Sequence, residues 1–183
     1  NLQYPCQLEY FDENGQLGIC QMGTFKIAGK TMRTGKQKSL AVYARKAYGS
    51  DTFGYPFFED RDYDGYSAIL LRYTNSDFKS TRLRDAALQE LAKGLGLYYQ
   101  AGKVIQVYLN GQYWGHYNLR ERANRESLAQ WEGITDPEII DGVDILEATG
   151  VLDEYVVYGS NAEWKALVDF CKTHDMNSEA DRE

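Results

Sequence analysis

Period-two alternation of apolar and polar residues governs the first part of this chain. Leu8-Glu-Tyr-Phe-Asp-Glu-Asn-Gly-Gln-Leu-Gly runs into Asn14-Gly15, a pair suited to the positive φ values of a tight turn, and predicts a hairpin whose second strand covers Ile19 to Ile27. After a bend at Gly29-Lys-Thr-Met-Arg33, Leu40, Val42 and Ala44 alternate with Ala41, Tyr43 and Arg45. That is the pattern of a half-buried strand, and it puts Lys38 on the same side as Leu40 and Val42. Ser67-Ala-Ile-Leu-Leu-Arg-Tyr73 is a short apolar run bounded by turn residues and reads as a buried strand closed by Thr74-Asn-Ser-Asp77. Between them, Asp51 to Gly65 is rich in aromatic and acidic residues, with Tyr55-Pro-Phe-Phe58 as an irregular packed connection.

The period then changes to that of a helix. Leu83, Ala87, Leu91 and Leu95, joined by Leu88, predict an amphipathic helix capped by Ser80 or Thr81 and ended by Gly94 or Gly96. Glu90 falls about a quarter-turn from the centre of that apolar face, at the edge of a cleft or in solvent. Two β-rich runs, Val104–Leu109 and Gln112–Leu119, are separated by Asn110-Gly111, which specifies a two-residue hairpin with Val107 facing Trp114 and Tyr108 facing Tyr113. Gly115 interrupts the second run, as a bulge or as a place of close backbone approach. A helix ends near Gly133, Val143–Leu146 is a short strand candidate, and Ser160-Asn-Ala-Glu163 reads as a capping box before a helix with the stripe Trp164, Leu167, Val168 and Cys171. Together these elements predict an α+β fold, a mixed and mostly antiparallel sheet with a packed amphipathic helix. The expected division is 1–132 and an acidic helical segment 133–183.

Charge adds a local contrast. The 183-residue chain is seven charges negative, yet no Asp or Glu occurs from Gln16 to Ser50, where Lys26, Lys30, Arg33, Lys36, Lys38, Arg45 and Lys46 all fall. Such a reversal either solvates a strand or concentrates positive potential for an anion. From 134 onward the sign reverses, with 13 acidic residues against Lys165, Lys172 and Arg182. The net charge opposes general nucleic-acid binding, and no apolar run approaches the roughly 18 to 20 residues of a membrane span. The absence of an initiator Met and the polar end both read as cut boundaries.

Few residues of the chain fall into a known catalytic pattern. No Gly-x-Ser-x-Gly or Walker-type loop occurs, Cys6, Cys20 and Cys171 match no metal spacing, and only His116 and His174 supply imidazoles. Asp136, Asp141 and Asp144 lack the spacing and terminal Glu of a calcium loop, and His116, beside Trp114, reads as a packed or surface residue. What remains is an order of elements: hairpin, basic strand with Lys38, buried strand, helix with Glu90, then a hairpin leading into Glu121. A protein-kinase small lobe has this order, with a strand lysine on the ATP phosphates and a helix glutamate that orients it.

At particular residues the sequence resembles the spore coat protein H (CotH) family of atypical secreted protein kinases. The resemblance runs through Gly29-Lys-Thr-Met-Arg33, Gln37-Lys-Ser-Leu40, Tyr48-Gly49, Tyr55-Pro-Phe-Phe58, Leu71-Arg72, Asp77 and Arg84-Asp85. It continues through Val107-Tyr-Leu-Asn-Gly-Gln-Tyr-Trp-Gly115 and Tyr117-Asn-Leu-Arg-Glu121, its most specific part. It implies a kinase-like fold and ATP- and Mg-dependent transfer of phosphate to protein Ser or Thr, outside the cell or at its surface. Carried over, Lys38 is the phosphate-contacting lysine, Arg33 a second anion contact and Glu90 the helix partner. Leu119 to Arg122, with Glu121, stands where the adenine-binding connection of a kinase runs.

The family's acidic catalytic and metal-binding motifs are not found, so the expectation is a nucleotide-binding fragment whose catalytic residues are unknown, without metal ligands and inactive alone. Mg is expected only with the intact domain. A competing reading is a non-catalytic surface or adhesion module whose exposed tyrosines grip glycans, and a third is a scaffold domain, which leaves the basic strand unexplained.

Overall fold

The computed structural model describes residues 2–29, 33, 35, 37–73, 81–148 and 154–174. The bend at Lys30–Met32, the strand closure at Thr74–Asp77 and the Ser80 cap lie outside them. Two compact units divide between Ala123 and Asn124, earlier than the change of charge at Gly133.

The first unit is built on a six-stranded antiparallel sheet. Its strands are β1 (Tyr4–Phe11), β2 (Leu17–Ala28), β3 (Ser39–Ala44), β6 (Ala68–Arg72), β7 (Gly102–Leu109) and β8 (Gln112–Glu121). They lie in the order β1-β2-β3-β6-β8-β7, so the basic strand and the short apolar run are central, as their burial requires. The β1–β2 turn is tied by Asp12, whose Oδ1 accepts from the amides of Asn14 and Gln16 at 2.9 and 2.8 Å.

The Asn110-Gly111 hairpin forms with both residues at positive φ, 50° and 78°, the signature of the turn that matches strand twist. Tyr108 pairs with Tyr113 as expected, but Val107 pairs with Gly115 rather than Trp114, because the register shifts between Val107 and Tyr108. Gly115 has φ 135°, a value that side chains disfavour, and an added Cβ would meet the Gln37 side-chain nitrogen at 2.5 Å. It is therefore both a bulge and a point of close approach.

The core gathers on one side of this sheet. Phe53, Phe57, Phe58 and Tyr66 come from the irregular aromatic connection and are buried with Leu40, Val42, Ile69, Leu71 and Leu119. Two-residue strands β4 (Phe53–Gly54) and β5 (Gly65–Tyr66) pair across that connection. Phe57 is its centre, with ring centroids of Tyr10, Tyr55 and Tyr66 at 5.4, 5.1 and 5.6 Å. The sheet curls round this cluster, since Lys103 on edge strand β7 sits 4.8 Å from the ring of Tyr10 on the opposite edge strand. Burying each of these large rings contributes about 1.5–3 kcal/mol.

Helix α1 (Arg84–Gly94) corrects one expectation. Its leucine face is not packed: Leu88, Leu91 and Leu95 are 56%, 65% and 74% exposed. The helix is fastened instead by a polar stripe at i, i+4 and i+8. Asp85 meets Arg120 and Arg72, Gln89 accepts from the Gln100 amide at 2.8 Å, and Lys93 pairs with Asp60 at 3.2 Å. The side-chain cap at its start is absent, the N-cap being Leu83.

The second unit contains α2 (Arg125–Glu132), α3 (Pro137–Asp141), the antiparallel pair β9 (Ile145–Ala148) and β10 (Glu154–Tyr158), and α4 (Ala162–Thr173). The capping box stands at α2, where Asn124 accepts from the Ser127 amide at 2.8 Å and Ser127 Oγ accepts from the Asn124 amide at 3.0 Å. The box expected at Ser160–Glu163 does not form: the N-cap of α4 is Asn161, with no side-chain capping bond, and Ser160 Oγ accepts from the Ala162 amide at 3.0 Å. Of its expected stripe, Trp164, Leu167 and Cys171 are exposed and Val168 is half-buried.

Candidate functional site

The head of β3 is held more closely than a solvated strand end would be. Gln37, Lys38 and Ser39 are each fastened to a different neighbour. Gln37 Nε2 donates to the Trp114 carbonyl at the β8 bulge. The Lys38 carbonyl accepts from the Tyr117 hydroxyl at 3.1 Å, and Ser39 Oγ accepts from the Tyr73 amide at 2.9 Å. The rings of Tyr73 and Tyr117 add a contact at 5.5 Å between centroids. The two most distinctive stretches of the sequence, Gln-Lys-Ser and Asn-Gly-Gln-Tyr-Trp-Gly, are thereby joined.

Within this clamp Lys38 is half-buried, and its ammonium donates to the Gly35 carbonyl at 2.8 Å. An ammonium has three donors, so two remain for an oxyanion. Arg33 is exposed, with Nε donating to the Gly29 carbonyl. Both cations thus sit on the segment leading into β3. Glu90 is exposed on α1, and the structure does not bring it to Lys38: no ion pair joins them.

Glu121 occupies a different setting. It ends β8 at 1% exposure, in an ionic network that pattern reading missed. Oε2 accepts from Arg61 Nε and Nη2 at 3.1 and 2.7 Å, while Oε1 accepts from the Tyr63 hydroxyl. Arg61 also donates to the Tyr99 carbonyl at 2.8 Å and stacks 4.4 Å from the Tyr99 ring centroid. The Tyr99 hydroxyl donates to Asp60 at 2.6 Å. The backbone of Glu121 is committed as well, its amide to the Ala101 carbonyl at 2.9 Å and its carbonyl to Gln100 Nε2 at 3.0 Å.

Titration follows from these contacts. Burial, with the adjoining Glu121 charge and hydrogen bond, pushes the Tyr63 phenol well above its ordinary range, and burial does the same to Tyr66. Burial opposes ionisation of Asp60, but hydrogen bonds from Tyr99 and Lys93 prevail and hold its carboxyl low. Arg61 is held protonated by Glu121 against the burial that opposes it.

A second buried guanidinium lies one residue away. Arg120 is 1% exposed, with Nη1 2.5 Å from Asp85 Oδ2, a carboxylate shared with Arg72 Nε at 3.4 Å. None of the three Arg120 nitrogens has an aligned hydrogen bond, and burial pushes its pKa down. The Leu71-Arg72 and Arg84-Asp85 motifs supplied two of these three charges, so the sequence signal was there without its geometry.

Among the described residues no three His, Cys, Asp or Glu side chains gather as a metal site. No helix of the described residues is long and apolar enough to cross a membrane.

The first unit is an α+β domain whose curled antiparallel sheet presents a clamped lysine at the head of a central strand. The family described as CotH kinase protein matches residues 25–181, which is most of the chain, and the chain belongs to that family. Neither the curated proteins nor the solved structures gave a match.

Proposed function

We propose that this chain is the nucleotide-binding part of a CotH-like atypical protein kinase, which transfers phosphate from ATP to protein Ser or Thr. The family membership over residues 25–181 carries the reading. The clamped Gln37-Lys38-Ser39 segment supports it, because a phosphate-contacting lysine works only if its backbone is held. In this reading Lys38 and Arg33 bind and orient the phosphate chain. ATP supplies the phosphoryl group when bound, and Mg joins with the intact domain.

Two assignments are narrower than element order alone suggests. Glu90 orients Lys38 only after α1 or its side chain moves. Glu121 serves by holding the end of β8 through Arg61 and Tyr63, since neither its carboxylate nor its backbone is open to adenine.

The test is titration calorimetry of the chain with ATP, with and without Mg. Wild type is expected to bind weakly and Lys38→Ala at least about tenfold less, the equivalent of one lost charge-assisted contact of about 1.4 kcal/mol. Equal binding by the variant would remove Lys38 from the site. The surface-module reading rests on the β7–β8 tip, where Tyr108, Tyr113, Trp114 and His116 are exposed. Binding to a glycan array that Tyr113→Ala abolishes, with no ATP binding, would favour it.

A further inference from the structure

A second concentration of positive charge lies at the far end of β3, beyond the reading above. Tyr43 is half-buried, and three cations surround its ring: Lys26 Nζ at 5.1 Å from the centroid, the Arg45 guanidinium carbon at 4.7 Å and that of Arg122 at 5.3 Å. They come from β2, from just past β3 and from just past β8, so the sheet and not local sequence assembles them. Strand pairing sets Thr24 opposite Tyr43 and Lys26 opposite Ala41, on the face that carries the Tyr43 ring. Among the described residues none of the three cations pairs with a carboxylate. Arg45 is held instead by neutral acceptors, Thr24 Oγ1 at 3.2 Å and Gln3 Oε1 at 2.7 Å. The Tyr43 hydroxyl is buried and has no hydrogen-bond partner.

A protein with seven excess negative charges has carboxylates to spare for neutralising three cations. Here they stay uncompensated around one ring, between 4.7 and 5.3 Å from its centroid. Cation–π attraction offsets part of that repulsion, about 0.5–1 kcal/mol for each cation at a partly exposed site. It does not supply a countercharge.

From this we infer that Lys26, Arg45 and Arg122, grouped on Tyr43, form a docking site for an extended acidic peptide, whose carboxylate or phosphate side chains supply the missing negative charge. A peptide fits better than a lone ion because the three cations spring from separate strands. Side chains on one side of an extended peptide recur about every 6.6 Å, a spacing that lets successive acids reach different cations. General polyanion binding is opposed by the net charge. The site is separate from Lys38, which precedes β3 while Arg45 follows it, about 23 Å along an extended chain.

Fluorescence anisotropy with a labelled hexaglutamate peptide tests the inference. Its phosphoserine counterpart separates the two anion sources, and a hexaglutamine peptide and inorganic phosphate serve as controls. Wild type should bind one or both anionic peptides at ~50 mM salt, and at least about tenfold less tightly at ~500 mM. The triple replacement K26Q/R45Q/R122Q should abolish binding, and Tyr43→Leu, which removes the ring on which the cations gather, should weaken it about threefold, with thermal melts confirming that both fold. Lys38→Ala should leave peptide affinity unchanged while losing ATP, so failure of the nucleotide reading and failure of this one are distinguishable. Undiminished binding by the triple variant, equal binding of hexaglutamine, or competition by phosphate as strong as by the peptide would each overturn it.

Discussion

Arg61 and Glu121 are 60 residues apart in sequence, and their pairing decides how the end of β8 behaves. Two charges taken out of water need each other: removing one partner of a buried pair costs about 3–5 kcal/mol, because the remaining ion is left uncompensated. Tyr63 is part of the same balance. Its proton sits between phenol and carboxylate, and its pKa is raised from the usual value of 10.0 by burial first and by Glu121 next. A group whose folded pKa is raised stabilises the fold below its unfolded pKa and loses that contribution as pH rises towards the folded one. Stability should therefore fall above about pH 10, by up to about 1.4 kcal/mol per pH unit for each tyrosine that stays protonated. Urea melts between pH 9 and 11.5 should show a shallower loss in Tyr63→Phe than in wild type. Identical slopes would mean that the phenol is not held by Glu121.

At the scale of elements, α1 makes the sharpest contrast between pattern and packing. The leucine periodicity located the helix but not the side by which it is attached, since that depends on Asp85, Gln89 and Lys93 finding partners on β6, on β8 and in the connections at Asp60 and Gln100. Leu91→Gln should change unfolding free energy by no more than about 0.5 kcal/mol, as for an exposed position. Asp85→Ala should cost about 3 kcal/mol or more, because Arg120 would keep its burial and lose its counter-ion among the described residues. Chemical denaturation of the two variants reads both numbers, and the reverse order would mean that the leucine face is the buried one. The strands were legible because alternation and Asn110-Gly111 are local signals. The bulge at Gly115 was legible as a choice of two causes, and both operate. The basic strand was legible with Lys38 at its head, whereas the network round Glu121 was not, because Arg61 and Tyr63 sit in an irregular segment with no period to report where its side chains point.

For the molecule as a whole, the unequal distribution of buried side chains matters more than the division of charge. In the first unit, strands β3, β6 and β8 carry Ala41, Val42, Ile69, Tyr117 and Leu119 at 4% exposure or less. In the second, Ala129 is the single buried hydrophobic residue among those described, and α4 exposes Leu167 and Phe170. A two-stranded ribbon such as β9–β10 is marginal by itself, and α4, at 12 residues, is near the length below which a helix needs packing to persist. Local opening free energies should differ accordingly. In native-state hydrogen exchange the amides of β3, β6 and β8 should exchange only through global unfolding, with rates that track the urea dependence of the whole chain. Those of β9, β10 and α4 should exchange at least about 100-fold faster, a gap of about 2.7 kcal/mol, and with little dependence on urea. Equal protection throughout would mean that the acidic segment shares the cooperative core of the sheet. It would also make any ligand-linked stabilisation at Lys38 felt along the entire chain and not by the first unit alone.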